Sequence, residues 1–212
     1  MPPRGRLIAL EGIDGCGKST QARGLAAALA ARLTFEPGAT PAGARLRQLL
    51  LASDAPALST RAEALLMVAD RAEHVERVIE PALAAGAWVV SDRYAASTVA
   101  YQGYGRGLDP GELAGLVAWA CAGVVADLSV LVDVEVDVAA ARLAAAGRHA
   151  ADRMEGLGPE FAARVRQGFL AQADTDPEHW LVVDGGEEVT ALTARIVAAV
   201  RARLGDPPAA SR

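Results

Sequence analysis

The octapeptide GIDGCGKS, residues 12–19, constrains this chain more than any other stretch. It fits G-x-x-x-x-G-K-[S/T], and it lies between the apolar run LIALE (7–11) and the helical run KSTQARGLAAALAARL (18–33). A strand that breaks into such a loop and reopens as a helix lets backbone N–H groups wrap a phosphate. The positive end of the helix dipole points at the same anion. Lys18 is the single lysine among 21 Lys and Arg residues. Its compact point charge suits the inside of the loop, where a planar guanidinium fork would not fit. Ser19 offers a hydroxyl to Mg2+, with Thr20 beside it. The stretch Gly12, Ile13, Asp14, Gly15, Cys16, Gly17, Lys18, Ser19 and Thr20 is therefore expected to hold a nucleoside triphosphate. A dinucleotide loop of the G-x-G-x-x-G type would need glycine at position 20, where Thr20 stands.

The loop demands a parallel sheet, and the rest of the chain supplies one. AWVVSD (87–92), LSVLVDV (128–134) and WLVVD (180–184) are short apolar runs with polar ends, like 7–11, and read as strands buried on both faces. Helical patterns occupy 18–33, 60–86 with a bend at Pro81, 109–123 with Asp109 as N-cap, 159–173 and 188–204. The alternation predicts an α/β chain of the P-loop NTPase fold. Its parallel sheet has about five strands, with helices on both faces. No repeat or linker divides the sequence, so 1–212 reads as one domain, with 205–212 a frayed tail.

Composition narrows the setting. Hydrophobic residues make up 52% of the 212 residues but aromatics only 4%, so the core is aliphatic. No apolar run reaches the roughly 18–20 residues that cross a bilayer. Cys16 and Cys121 form no disulfide framework. A cytoplasmic protein that spans no membrane is the expectation. A net charge of −5 argues against a nucleic-acid-coating surface, so any bound anion must meet a local basic site.

The second motif decides what the triphosphate is for. DRYAASTVAYQGYGRG (92–107) starts at the C-terminal end of a buried strand, the edge where open α/β sheets bind ligands. Asp92 can orient Mg2+, and Arg93 can grip a second phosphate bidentately. Ser97, Thr98, Tyr101 and Gln102 follow on one or two helical turns, a set suited to a base and sugar. A guanine-reading N-K-x-D motif is impossible in a chain with no asparagine and no second lysine. These residues alone point to phosphoryl transfer onto a phosphorylated nucleoside. A phosphate-loop ATPase binding module without a small-molecule acceptor is the alternative.

Together EGIDGCGKSTQ, EPGATPAGARLRQLLL, RAEALLMVADRAEH, SDRYAASTVAYQGYGRGL, DLSVLVDV and DRMEG resemble the thymidylate kinase family over nearly the whole chain. The resemblance implies ATP as donor, dTMP as acceptor, Mg2+ as cofactor and a homodimer. It puts Lys18, Asp14, Arg93 and the lid arginines Arg148 and Arg153 in catalytic roles, with Arg142 nearer the adenine. It assigns Arg47 and Arg93 to the acceptor phosphate, and Arg71 and Gln102 to the thymine edge with Ser97 or Thr98 nearby. Tyr101 falls against the sugar, and Asp14 and Glu36 near the sugar hydroxyl and the magnesium and phosphate network. Some family members carry an arginine in the loop at the position of Gly15, and others carry it in the lid. Arg142, Arg148 and Arg153 around Gly147 resemble the second kind, which implies a helical lid over about 142–156.

Two positions depart from the family pattern. Phe35 stands where R-E-P-G has arginine, and Met67 where a phenylalanine would stack on thymine. Another base preference is therefore an alternative, and the expectation is weaker thymidylate binding. Cys16 sits at a helix N-terminus beside phosphates, a place that could lower a thiol's pKa, although a small loop-filling residue is the simpler reading. His74, His149 and His179 have no metal spacing.

Overall fold

The computed structural model describes residues 3–52, 54–147, 154 and 157–207. Strand β1 (Leu7–Glu11) leads through the phosphate loop into helix α1 (Lys18–Leu29). There follow β2 (Arg32–Phe35), α2 (Pro41–Leu51), α3 (Thr60–His74), α4 (Glu80–Ala84) and β3 (Val89–Asp92). The second half holds α5 (Ala95–Thr98), α6 (Pro110–Cys121), β4 (Leu128–Asp133), α7 (Val136–Ala145), α8 (Pro159–Thr175), β5 (Trp180–Asp184) and α9 (Val189–Leu204). Among the described residues the strands form one sheet in the order β2-β3-β1-β4-β5, with every neighbouring pair parallel.

Period-2 alternation in β1 divides the core. Ile8 and Leu10 face one layer, with Leu25 and Leu29 of α1, Phe169 of α8 and Ile196 of α9. Leu7 and Ala9 face the other, with Val68 of α3, Ile79, and Val117 of α6. Both faces are covered, which is why the strands read as continuous apolar runs.

Three local expectations are corrected. The first helix ends at Leu29, not at 33. Ala30 adopts φ 48° and closes the helix, and residues 32–35 form the edge strand β2. Of RLTF only Thr34 is buried, so the strand carries no apolar alternation and its alanine-rich approach reads as more helix. The stretch 60–86 is not one continuous α-helix. A π-helical turn, Val75–Ile79, joins α3 to α4, and such a turn shifts the helix register just ahead of the proline. Helix α2 was not anticipated at all. Thr40 caps it by accepting from the Gly43 N–H at 2.9 Å, and Pro41 opens it, a local signature of the N-cap and N1 kind.

The register sets the site. Leu10 pairs with Asp92, and Phe35 also pairs with Asp92 across the other edge of β3. The C-terminal ends of β2, β3 and β1 therefore open side by side. β1 and β3 are neighbours whose outgoing connections run to opposite sides of the sheet, the switch point at which such sheets leave a crevice.

Candidate active site

A cleft of about 820 Å3 lies over those strand ends. The phosphate loop forms one wall. Gly15 sits at φ 84°, and a Cβ there would lie 2.4 Å from the Ala139 carbonyl of α7, so α7 closes against the bare backbone. Lys18, at the first position of α1, is buried. Its Nζ donates to the Ile13 carbonyl at 3.2 Å and reaches Asp14 Oδ1 at 3.3 Å. Asp14, Gly15, Gly17, Ser19 and Thr20 line the cleft with it. Cys16 instead points inward, 1% exposed, and burial pushes its thiol pKa up against the pull of Lys18. The lowered pKa suggested by the helix N-terminus does not materialise, because desolvation outweighs the nearby cation.

The end of β3 forms the floor. Arg93 holds φ 73°, in the left-handed region that a bulky residue seldom occupies. Its N–H donates to the Leu10 carbonyl at 2.9 Å, tying the turn to β1. The guanidinium then reaches back across the sheet. Nη1 donates to the Gly12 carbonyl (3.0 Å) and Ser97 Oγ (3.1 Å), and Nη2 to Asp14 Oδ1 (2.6 Å) and Tyr101 Oη (2.8 Å). Tyr101 Oη donates in turn to Asp14 Oδ2 at 2.9 Å. Burial alone would raise the Asp14 pKa, but Arg93 and Lys18 overcome it and hold the carboxyl well below the usual range. Asp14 is thus a fixed anion between two cations.

Glu11, fully buried at the end of β1, was not foreseen. Its Oε2 accepts from Ser97 Oγ at 2.6 Å and its Oε1 from the Tyr94 N–H at 2.9 Å. It therefore braces the turn that carries Arg93. Burial pushes its pKa up to about 7, against the hydrogen bond from Ser97. The only sequence signal was an acidic residue ending an apolar strand just before the loop.

The far end of the cleft is built on α3. Glu36 and Arg71 are both buried. Glu36 Oε2 accepts from Arg71 Nε at 2.9 Å, and Oε1 meets His74 Nδ1 at 2.9 Å, with Thr34 Oγ1 on the other ring nitrogen at 2.6 Å. Arg71 also donates to Thr98 Oγ1 (2.8 Å) and the Tyr94 carbonyl (2.9 Å). Glu36 thus anchors Arg71. Asp70 accepts from the Gly38 N–H at 3.0 Å while its Oδ2 is buried without a partner. Burial, reinforced by Glu36, pushes its pKa up to about 6. Met67 and Gln102 line this end, as do Arg47, which donates to the Pro37 carbonyl at 2.7 Å, and the Phe35 ring beneath it.

Gly12, Ile13 and Cys16 do not line the cleft, whereas the other described nucleotide and acceptor residues expected from the sequence do, coming from the loop, the end of β2, α2, α3 and the segment after β3. Arg142 of α7 joins them, donating to the Cys16 carbonyl at 3.3 Å and the Gly185 carbonyl at 2.9 Å. Arg148 and Arg153 lie outside the described residues. For Mg2+, the fit rests on Asp92, whose buried Oδ1 has no hydrogen-bond partner, and on Ser19, which lines the same cleft. Among the described residues no group of three or more His, Cys, Asp or Glu side chains could hold a metal.

The phosphate loop thus shares one cleft with Arg47, Arg71 and Arg93. The family model described as Thymidylate kinase matches residues 10–196. The chain belongs to the thymidylate kinase family. It is 46% identical over 185 residues to a thymidylate kinase of Cutibacterium acnes, covering 85% of this chain and 88% of that protein. It is 50% identical over 177 residues to one from Synechococcus sp. (strain RCC307), covering 78% and 82%. The crystal structure of thymidylate kinase from Ehrlichia chaffeensis superposes with a TM-score of 0.75 at 31% identity, covering 93% of this chain and 99% of that one.

Within this thymidylate kinase frame, Glu63 and Arg106 also escaped sequence reasoning. Glu63 is buried on α3 and accepts from Arg106 through both oxygens, at 3.1 and 2.7 Å. A signal existed: Glu63, Met67 and Arg71 recur every four residues on one helix face.

Proposed function

We propose that this chain transfers the γ-phosphoryl group of ATP to dTMP, giving dTDP for dTTP synthesis. The observation that carries the reading is the bridge from Arg93 to Asp14, which joins the acceptor side of the cleft to the phosphate loop. The acceptor's phosphate oxygens are nucleophilic without a general base, so the obstacle is bringing two polyanions together. Unit charges 4 Å apart repel by about 4 kcal/mol at an effective dielectric near 20. Cations and positioning must supply the catalysis, and one well-placed arginine is worth roughly 10³–10⁵ in related transfers.

In this reading Lys18 and the loop N–H groups hold the donor phosphates, Arg93 and Arg47 hold the acceptor phosphate, and Arg142 borders the adenine end. Ser19 and Asp92 hold Mg2+, which when bound neutralises charge on the donor phosphates. Arg71, Gln102, Thr98 and Met67 surround the base, and Tyr101 lies against the sugar. The chain works as one kinase domain, with 142–156 as its lid and Arg148 and Arg153 as lid cations. Gly15 supports that division of labour, because the carbonyl of Ala139 occupies the space an arginine side chain at position 15 would need. No helix of the described residues is long and apolar enough to cross a membrane, in keeping with a cytoplasmic enzyme. Trp119, 79% exposed on α6 with exposed Leu116 one turn before it, offers an apolar face for a homodimer; a monomer in sedimentation at micromolar concentration would exclude it.

The deciding assay offers the protein ATP·Mg2+ with dTMP, dUMP, UMP, CMP, AMP or GMP while ADP is followed. Turnover dependent on dTMP is expected. ADP release indifferent to every acceptor would favour a phosphate-loop ATPase module instead.

A further inference from the structure

Gln102 lines the cleft, but its amide is held from behind. Its Nε2 donates to Glu63 Oε1 at 3.2 Å, and Glu63 is outside the cleft lining. Arg106 donates Nε to that same oxygen at 3.1 Å and Nη2 to Oε2 at 2.7 Å. A carboxylate held by a guanidinium fork only accepts hydrogen bonds. The Gln102 amide therefore has one permitted orientation, with nitrogen toward Glu63 and Oε1 turned away from it.

We propose that Glu63 is a specificity-determining positioning residue: it fixes Gln102 so that the cleft meets an acceptor, and so favours a pyrimidine carrying an N3–H. The inference rests on the dTMP reading above. Thymine presents an N3–H donor beside the O4 acceptor, whereas cytosine presents an N3 acceptor beside an N4 amino donor. Arg71, a donor-only guanidinium fixed by Glu36 and Thr98, lines the same end. An arginine donor together with a glutamine acceptor matches thymine and opposes like against like on cytosine. In a desolvated site such a mismatch leaves polar groups unpaired, which costs far more than a lost contact in water. A freely rotating Gln102 could turn its nitrogen toward the N3 of cytosine by flipping its amide, so the share of the discrimination that Gln102 adds to that of Arg71 depends on Glu63, although Glu63 lies outside the cleft lining. Arg106 also lies 3.7 Å from Met154 Sδ and over the Phe161 ring, which keeps the fork in place.

The test compares kcat/KM for dTMP and dCMP in the wild type and in Glu63→Gln. The wild type is expected to prefer dTMP. The substitution should lower the dTMP-to-dCMP ratio about tenfold or more, the worth of roughly one hydrogen bond in a dry site, with the KM for ATP unchanged. In a Gln102→Met background the same substitution should leave the ratio unmoved. A wild type that prefers dTMP, with an unchanged ratio in Glu63→Gln, overturns this proposal alone. A wild type that ignores dTMP, or prefers dCMP, overturns the dTMP reading and this proposal with it. Should Glu63→Gln fail to fold, the wild-type Gln102 side-chain amide decides by NMR. One proton protected from exchange is expected, and two protons exchanging at the rate of free glutamine would overturn the proposal.

Discussion

Arg93 Nη2 lies 2.6 Å from Asp14 Oδ1, so the residue that follows β3 is bonded directly to the phosphate loop that follows β1. This contact, with Tyr101 Oη closing the triangle to both residues, joins the phosphate-loop side of the cleft to the side formed at the end of β3. The left-handed backbone of Arg93 and the Glu11–Ser97 contact behind it aim the guanidinium.

Arg93→Lys keeps the charge but loses the planar fork and most of its partners. We expect kcat with dTMP to fall by at least about 10³-fold, the loss seen when one transition-state arginine is removed, while thermal melting stays cooperative. A steady-state assay at saturating ATP reads this, and a change in kcat under tenfold would refute the role.

Gly15→Ala places a methyl group against the Ala139 carbonyl on a backbone at φ 84°. Both strain terms act, and the expected destabilisation is about 1–3 kcal/mol. Urea unfolding should show a lower midpoint. An unshifted midpoint would mean that α7 does not close on the loop in solution.

Met67→Phe puts an aromatic surface at the α3 end of the cleft, where the proposed function places the base. Ring stacking is worth about 0.5–1.5 kcal/mol beyond area, so the KM for dTMP should fall roughly threefold to tenfold with kcat little changed. An unchanged KM would show that Met67 does not face the base.

Glu11 gives the pH prediction. Its folded pKa of about 7 stands above the ordinary carboxyl value, so the folded state binds the proton more tightly than the unfolded chain. The resulting stability is fully present below about pH 4.5 and is lost as pH rises through 7. The stability difference between wild type and Glu11→Gln should therefore shift against the wild type by on the order of 2 kcal/mol from pH 5 to pH 8. Urea unfolding of both proteins at each pH measures it, and parallel curves would place the Glu11 pKa in the normal range.

Much of this was legible without coordinates, and the reasons are local. GIDGCGKS specifies its own backbone and helix start. LIALE and WLVVD mark strands at the limits observed, and Asp109 followed by Pro110 marks the start of α6. The edge strand β2 was not legible, because a strand with one buried residue has no period to read. Nor was α2, despite its Thr40–Pro41 start.

The sequence by itself determined which groups are present: one lysine in a phosphate loop, an Asp-Arg pair ending a buried strand, and hydroxyl, amide and guanidinium groups around it. Tertiary structure decided which of them face a ligand and which hold others in place. Glu36 anchors Arg71, Glu11 anchors the turn of Arg93, and Glu63 anchors Gln102, across 35, 83 and 39 residues of chain. Those pairings depend on sheet order and strand register, which bring distant carboxylates into a dry interior where each must find a donor. No local pattern encodes that partner, since the cost of leaving it unpaired exists only once the chain has folded.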